Sequence, residues 1–369
     1  MKPEHKKILI IVIVSILVIL ALVLGLVFGL RKGDDEKKES NNEGKVEIMN
    51  SYDNTDELIK RFPVINSTKV LPGMEEHIQN RLLTGFENWN RGFDAWKAWG
   101  NILYTNDSIY NVHGARLSLA HYQAAMDISL KQSTILMGDF HNMLISDEYC
   151  GIHYDFLSGT SKDNSRKSKV MEFVKFKEYG NDTNPDTRVE EGWGSTKDTS
   201  YYGLITFQGD DEKAEQERQD NYNLNYVIPN KIDLKEKYII KYPTTYRDAN
   251  AEQILDIILR GFDSWNAGIS SYTTWVDSYY DINAKSSSLD ERERDMTQYK
   301  EEITELFKNE TITKLYFDNI LIRENWAALH YRYRRVIIET NVKSVGDRMQ
   351  FLKFEEKDGS LKIAASWIQ

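Results

Sequence analysis

One short phrase occurs twice in this chain, and it constrains the fold more than any other feature of the sequence. "GFENWNRG" begins at Gly85, and "GFDSWNAG" begins at Gly261. In both copies Gly-Phe and an acidic residue precede Trp-Asn, and one residue separates that Asn from a closing Gly. A phrase of this length, repeated with unchanged spacing, predicts that one structural unit is present twice.

Three further pairs of segments extend the repeat toward the carboxyl end. "HNMLISDEYCGIHYDF" from His141 matches "DNILIRENWAALHYRY" from Asp318, "MEFVKFKE" from Met171 matches "MQFLKFEE" from Met349, and "RVEEGW", ending at Trp193, matches "KIAASW", ending at Trp367. The pairs follow one order at nearly constant separation. We therefore predict two domains of one fold, the first over residues 69–208 and the second over residues 248–369.

The order of elements within each unit predicts its fold class. Apolar residues recur at three- and four-residue intervals before each Trp-Asn pair, in the sets Ile78, Leu82, Leu83, Phe86, Trp89 and Ile254, Ile257, Ile258, Phe262, Trp265. This spacing is typical of one face of an amphipathic helix, and the Asn and Gly that follow are typical of its end. Each unit then continues into long strands. Helices that precede strands predict an α+β fold, with the helices on one face of an antiparallel sheet.

Residues 8–30, "ILIIVIVSILVILALVLGLVFGL", form an unbroken apolar segment that contains no charge. As a helix it is about 34 Å long, which is enough to cross the hydrocarbon core of a membrane. The alternative is a cleaved signal peptide, whose apolar region usually has about 7–15 residues and ends at small residues. We predict a single-pass transmembrane helix in the cell membrane, after a short tail of residues 1–7. Lysine and arginine flank both ends, so charge leaves the orientation open, and the short tail favours extracytoplasmic domains.

Two polar segments separate these parts of the chain. Residues 31–68 have no apolar periodicity, which is typical of a solvated stalk. Residues 209–247 contain "GDDEKAEQERQDN" and have no counterpart in the second unit, so we predict a charged linker. The formal net charge of −10 argues against a nucleic-acid partner, because phosphate binding requires a basic surface. The single cysteine, Cys150, excludes an internal disulfide.

The order of the blocks resembles the SnoaL-like branch of the NTF2-like superfamily. The residues that carry the resemblance are Trp89-Asn90-x-Gly92 at the end of the first helix, "YTNDSIYNVHG" from Tyr104, "MEFVKFKE" and "RVEEGW". The resemblance implies two tandem cone-shaped domains, in which helices pack on a curved antiparallel sheet around an apolar pocket. Members of that family include cyclases, isomerases, dehydratases and binding domains. Their sheets often pack back to back in dimers, which suggests an intramolecular pseudo-dimer of the two domains here.

Glu172 is the candidate catalytic residue. Strand alternation places Glu172, Val174 and Phe176 on one face and Met171, Phe173 and Lys175 on the other. A carboxyl among apolar neighbours is desolvated, and desolvation raises its pKa toward the range that general acid–base chemistry needs. The resemblance implies an acidic residue at this position in isomerases and cyclases. The alternative is a carboxylate turned to water or hydrogen-bonded within the sheet. The second unit has Gln350 here, which cannot exchange a proton near neutral pH.

Five further residues are predicted to contact a ligand in the first domain: Tyr104, Tyr110, His113, His141 and Trp193. We predict no cofactor and no metal site, because no two histidines have helical metal-ligand spacing and no H-E-x-x-H pattern occurs. Other parts of an isomerase site are missing. The resemblance implies a tyrosine in the first helix where this chain has Gly85 and Gly261, and an aspartate near residues 111–113, where none is present.

Three functions remain open at this point. The incomplete acid–base set favours a membrane-anchored protein that binds a small apolar or amphipathic molecule in the first pocket without catalysis, with the second domain as a structural partner. The first alternative is an acid–base enzyme of the cyclase, isomerase or dehydratase type that uses Glu172. The second alternative is a protein-interaction module of a membrane complex, which the duplication of the domain without a complete catalytic set supports.

Overall fold

Two curved β-sheets, each with helices packed on one face, form the described part of the molecule. The computed structural model describes residues 55–112, 115–132, 134–161, 164–180, 186–196, 226–288 and 292–368. The predicted α+β fold class is confirmed. The predicted tail and transmembrane helix at 8–30 lie outside these residues, as does most of the predicted stalk. None of the described helices combines the length and the apolar character that crossing a membrane requires.

The first half of the described chain begins at Thr55 and ends at Thr196. Its helices are α1 (Thr55–Arg61), α2 (Met74–Asn90), α3 (Phe93–Leu103) and α4 (Leu119–Gln132). Its strands are β1 (Val64–Ser67), β2 (Tyr104–Val112), β3 (Ala115–Ser118), β4 (Thr134–Ser146), β5 (Tyr149–Ser161), β6 (Asn164–Glu178) and β7 (Thr187–Thr196). The strand order in the first sheet is β1-β4-β5-β6-β7-β2-β3. Strand β1 is parallel to β4 and β2 is parallel to β7, and the other neighbours are antiparallel.

The second half repeats this order of elements. Its helices are α5 (Leu234–Lys237), α6 (Ala251–Asn266), α7 (Ile269–Tyr279) and α8 (Met296–Asn309). Its strands are β8 (Tyr280–Ser288), β9 (Glu293–Arg294), β10 (Glu310–Arg323), β11 (Trp326–Ile337), β12 (Lys343–Lys357) and β13 (Ser360–Ile368). The second sheet has the order β10-β11-β12-β13-β8-β9, which corresponds to β4-β5-β6-β7-β2-β3 in the first sheet.

The repeated phrase ends a helix and attaches it to the sheet. The predicted first helix of each half is confirmed, as α2 and α6. The side chain of Asn90 accepts a hydrogen bond from the Met137 amide (2.7 Å) and donates one to the Met137 carbonyl (3.2 Å). Asn266 exchanges the same two hydrogen bonds with Lys314. Each asparagine side chain therefore satisfies the backbone N–H and C=O of a strand residue in place of a neighbouring strand.

The two glycines of the phrase are required for different physical reasons. A Cβ at Gly85 would lie 2.5 Å from the Trp99 ring, and one at Gly261 would lie 2.6 Å from the Trp275 ring. The first glycine therefore makes room for a tryptophan of the next helix. The closing glycines, Gly92 and Gly268, have φ angles of 111° and 106°, which side chains with a Cβ rarely adopt.

Each hydrophobic core extends upstream of the predicted domain start. Leu58 and Phe62 are buried in the first core although they fall in the predicted stalk, and Tyr238 is buried in the second core although it falls in the predicted linker. Ile240 also forms a parallel bridge to Phe317, as β1 does to β4. These short segments are mainly polar, so their few core residues have no periodicity that sequence alone reveals.

The outer faces of the two sheets pack against each other. The His153 ring lies 5.7 Å from that of Phe351, and the His330 ring lies 5.3 Å from that of Phe173. His153 and His330 occupy matching strand positions, as do Phe173 and Phe351, so the contact is reciprocal. Gly151 marks a close approach, because a Cβ there would lie 3.1 Å from the Cβ of Ala328.

A buried ion pair also connects the two halves. Glu75, at the start of α2, forms it with Arg323, at the end of β10, and the two residues are only 4% and 3% exposed. Arg323 also donates from Nε to the carbonyl of Ile145 (2.7 Å). Arg247 lies 3.5 Å from the same Glu75 carboxylate. Buried charges need partners of this kind, because an isolated charge in a protein interior is strongly unfavourable.

Candidate functional site

A cavity of about 80 Å³ lies between the helices and the inner face of the first sheet. We call it the first cavity. It is lined by Arg81, Leu82, Gly85, Phe86, Trp89, Trp96, Trp99, Leu103, Tyr104, Tyr110, Tyr122, Met137, Ile152, Tyr154, Val170, Glu172, Val174, Phe176 and Val189. Most of these side chains are aromatic or aliphatic, which is typical of a site for a small molecule with an apolar body.

Glu172 supplies the carboxyl group of the first cavity. The hydroxyls of Tyr110 and Tyr154 donate hydrogen bonds to its Oε1 atom, at 2.7 Å and 2.9 Å. No lysine or arginine of the described residues forms an ion pair with it. Burial raises the pKa of Glu172, and the two hydroxyl donors oppose that rise by stabilising the carboxylate. The pKa of this carboxyl therefore lies above that of an ordinary glutamate.

Tyr110 is positioned by small residues and by stacking. A Cβ at Gly192 would lie 2.6 Å from the Tyr110 ring, and one at Gly194 would lie 2.5 Å from its hydroxyl oxygen. The two glycines of β7 therefore leave the space that the Tyr110 side chain occupies. On its other side the Tyr110 ring stacks on Tyr122, with centroids 4.4 Å apart. The tyrosine hydroxyl is thereby directed at the carboxyl group.

Tyr104 adds a further hydroxyl group to the first cavity. Burial raises the pKa of its hydroxyl strongly, and the nearby negative charge of Glu172 raises it further. Tyr104 consequently stays protonated at any physiological pH, and it can donate a hydrogen bond but cannot act as a base.

The predicted alternation of β6 is confirmed. Glu172, Val174 and Phe176 line the first cavity, whereas Met171 and Phe173 lie in the contact between the sheets. The structure thus brings together three of the predicted site residues, Glu172, Tyr104 and Tyr110. His113 is outside the described residues. Tyr154 is not among the predicted site residues, although its two-residue spacing from Ile152 on one strand places both on the cavity face.

Two predicted ligand-binding residues lie on the opposite side of the sheet. Trp193 pairs with Phe173 in register and packs against His330 in the contact between sheets, with ring centroids 5.4 Å apart. His141 lies beside His153, and its Nε2 is 2.9 Å from Asp155 Oδ1. Successive strand residues face opposite sides, so the neighbouring residues that face the first core are Gly194, which lies against the Tyr110 hydroxyl, and Phe140.

The Trp99 ring lies against Gly85, the position at which the sequence comparison predicted a tyrosine. The SnoaL-like resemblance implies a tyrosine at Gly85, but any side chain at this position would meet the Trp99 ring. The second half has the same arrangement, with Trp275 against Gly261. The first cavity accordingly has a carboxyl and hydroxyls at its sheet wall and tryptophan at its helical wall.

A second cavity, of about 110 Å³, lies at the corresponding place in the second half. It is lined by Trp265, Tyr272, Ser286, Ser288, Arg294, Tyr299, Glu302, Ile303, Ile312, Lys314, Tyr331, Arg348, Gln350 and Ile368. Gln350 takes the place of Glu172, and Lys314 takes the place of Met137. The chemistry of the second cavity is therefore different, although its position in the fold is the same.

Lys314 is a functional candidate that the sequence interpretation missed. Its Nζ lies 4.5 Å from the centroid of the Trp265 ring and 4.6 Å from that of Phe262. Burial lowers the pKa of Lys314 to about 7, and the positive charge of Arg348 contributes to the same shift. The sequence does contain a signal for Lys314. It aligns with Met137 in the repeat, so a charged residue stands where the first half has an apolar one.

Metal-ligand clusters are absent from the described ranges. No three side chains from histidine, cysteine, aspartate and glutamate come together there as a metal site would require. The aromatic side chains of the first cavity could hold a cofactor with an apolar ring system. Lys314 and Arg348 of the second cavity could hold an anionic group.

The sequence matches no protein-family model, and no curated protein matches it. Solved structures with a partly similar fold include a ketosteroid isomerase-like protein from Erwinia carotovora atroseptica, with 11% identity and a TM-score of 0.28 over 33% of this chain and 96% of that one. An NTF2-like protein of unknown function from Burkholderia pseudomallei has 6% identity and a TM-score of 0.27 over 31% and 88%. One from Pseudomonas putida has 9% identity and a TM-score of 0.27 over 34% and 89%. These scores are too low to carry a functional argument.

Proposed function

We propose that the first half of this chain binds a small, largely apolar molecule in the first cavity, with one polar group of the ligand hydrogen-bonded to Glu172. One observation carries this proposal: a single carboxyl group stands in a cavity whose other walls are almost entirely aromatic and aliphatic. Ligand sites of proteins commonly combine an apolar surface with a few polar groups that orient the ligand.

The hydrogen bonds of Glu172 indicate which atom receives the ligand. Tyr110 and Tyr154 both donate to Oε1, and among the described residues Oε2 has no donor. A protonated Oε2 can donate to a carbonyl, and an ionised one can accept from a hydroxyl. We therefore expect the ligand to carry one hydroxyl or carbonyl group on an apolar body.

A matched pair of probes tests this expectation on the full-length chain in detergent. p-Cresol and p-xylene have the same shape, but only p-cresol has a hydroxyl. We expect calorimetry to give at least a tenfold tighter affinity for p-cresol, about the effect of one hydrogen bond to a charged or polar partner. Glu172→Leu should remove that preference, whereas Glu178→Leu, at the end of the same strand and outside the cavity, should keep it. Absence of binding by both probes, or a preference that Glu172→Leu leaves intact, would contradict the proposal.

A second candidate function is acid–base catalysis by Glu172. Its specific support is the raised pKa of this carboxyl together with two hydroxyl donors that can stabilise either protonation state. Native mass spectrometry of the purified chain would identify a retained small molecule, which can then be followed for chemical change. Conversion that Glu172→Gln abolishes would favour the enzyme, and retention without conversion would favour binding. A chain that retains no ligand would favour the protein-interaction module.

The proposal includes the wider organisation of the chain. We take the two halves as tandem SnoaL-like domains that form an intramolecular pseudo-dimer through the outer faces of their sheets. The reciprocal contacts of His153 and His330 with the opposite sheet support this arrangement. Residues 8–30 would anchor the domains to the cell membrane, on its extracytoplasmic side. Protease protection of the full-length chain in sealed membrane vesicles would test that orientation.

A further inference from the structure

Lys314 places a buried positive charge in the second cavity. It is 7% exposed, and its Nζ is surrounded by the rings of Phe262, Trp265, Tyr272 and Tyr331. In the described part of the chain no carboxylate lies within ion-pair distance of this Nζ. The faces of the four rings stabilise the cation partially, but they do not neutralise its charge.

Arg348 adds a second cation to the same cavity. It lies on β12 in register with Tyr331, and its guanidinium lies 5.0 Å from the centroid of the Tyr333 ring. It too forms no ion pair with a carboxylate of the described residues. The matching residue in the first half is Val170, so this charge is specific to the second half.

The remaining polar groups of the second cavity do not supply the missing negative charge. Glu302 is the carboxylate of the cavity lining, and it forms an ion pair with Arg294. Gln350 is neutral and stands where the first cavity has Glu172. The hydroxyls of Tyr272 and Tyr299 hydrogen-bond each other at 2.8 Å. The described residues thus leave both cations without a compensating carboxylate, in a cavity whose lining also includes the aromatic and aliphatic side chains of Trp265, Ile312 and Ile368.

We propose that the second cavity binds a small organic carboxylate with an aromatic or aliphatic body. The carboxylate accepts hydrogen bonds from Lys314 and Arg348, which compensates the buried charge of Lys314 and the half-buried charge of Arg348. The body of the ligand packs against Trp265, Ile312 and Ile368. This site is independent of the first cavity, so its failure would leave the proposed function of Glu172 unaffected.

Two ligands of one shape test the charge requirement on the unmodified chain. Benzoate and benzamide differ in charge but hardly in size. For the full-length chain in nonionic detergent at about pH 6, where Lys314 is protonated, we expect calorimetry to show benzoate binding at least tenfold more tightly than benzamide. Equal affinities, or no detectable benzoate binding, would overturn the proposal. This comparison requires no substitution and is therefore independent of any effect on folding.

Two variants test the residues, and both replacements come from the first half. Lys314→Met and Arg348→Val introduce the residues that the first half has at the matching strand positions. We expect each to weaken benzoate binding at least tenfold, with the circular dichroism spectrum unchanged. Lys308→Met, at an exposed lysine of α8 outside the second cavity, should leave benzoate affinity unchanged. Folded variants that keep wild-type affinity for benzoate would disprove the assignment of these two cations.

Discussion

Three substitutions between matching residues of the two halves distinguish the cavities. Glu172, Met137 and Val170 in the first half correspond to Gln350, Lys314 and Arg348 in the second. At these three positions the first half has one carboxyl group and no cation, whereas the second half has two cations and no carboxyl group. The hydrogen bonds that the backbones of Met137 and Lys314 form are the same, so the fold tolerates either chemistry.

The buried lysine should make the stability of the chain depend on pH. The folded-state pKa of Lys314 is about 7 and its ordinary value is 10.5, so between these values the unfolded chain binds the additional proton. Stability then rises with pH in this window, by at most about 1.4 kcal/mol per pH unit. Below about pH 7 both states are protonated and the full destabilisation by the buried charge is present.

Lys314→Met should remove this dependence. We expect the stability gained by the substitution, measured by urea unfolding, to be about 2 kcal/mol larger at about pH 6 than at about pH 9. Lys308→Met is the control, because Lys308 is exposed on α8 and pairs with Glu305 in the same helix. A gain for Lys314→Met that is the same at both pH values would show that the lysine titrates normally.

Among the helices and strands, the repeated phrase determines how the first helix of each half ends. Gly268 lies between α6 and α7 with φ 106° and ψ 173°, a region that is almost restricted to glycine. Apart from Gly268 itself and its two chain neighbours, no atom of the described residues lies within 4 Å of the place that a Cβ would take, so the effect of a substitution is conformational.

Gly268→Ala should therefore destabilise the chain by about 1–3 kcal/mol. Ser270→Ala, two residues later on the exposed side of α7, should change the free energy of unfolding by less than about 0.5 kcal/mol. Urea unfolding of both variants at one pH makes the comparison. Equal effects of the two substitutions would mean that alanine adopts the backbone conformation of Gly268 without strain.

Across the molecule, the two halves are joined by an apolar contact and by a buried ion pair. The apolar part includes residues of both sheets, and the ion pair joins Glu75 of the first half to Arg323 of the second. The residue matching Arg323 in the first half is Ser146, so the repeat does not generate a second copy of this ion pair. The pair stabilises one particular arrangement of the halves.

Arg323→Met should destabilise the chain strongly, because it leaves the buried Glu75 carboxylate with the more distant Arg247. Loss of one partner of a buried pair costs about 3 kcal/mol. Arg260→Met breaks an exposed pair with Asp256 on α6 and should cost about 0.5 kcal/mol or less. Thermal or urea unfolding distinguishes the two. Similar small effects for both variants would mean that Glu75 finds water or another cation when Arg323 is absent.

The α+β class, the first helix of each half and the two faces of β6 could all be predicted from the sequence. These features depend on local spacing, which repeats within a few residues along the chain. The repeat also identifies Glu172 and Gln350 as matching residues, because they follow Met171 and Met349 in aligned segments. The difference between the two cavities at this position, a glutamate in one and a glutamine in the other, can therefore be predicted from the sequence alone.

Contacts between distant side chains, in contrast, became evident only in the folded molecule. Tyr110 and Tyr154 meet Glu172, Lys314 is buried among four rings, and Trp193 lies in the contact between sheets and not in the first cavity. The cores also include Leu58 and Tyr238, from segments predicted as stalk and linker. Such contacts depend on strand register and on sheet packing, which are set by many weak interactions between residues far apart in the chain. A local pattern carries no information about which of these contacts form.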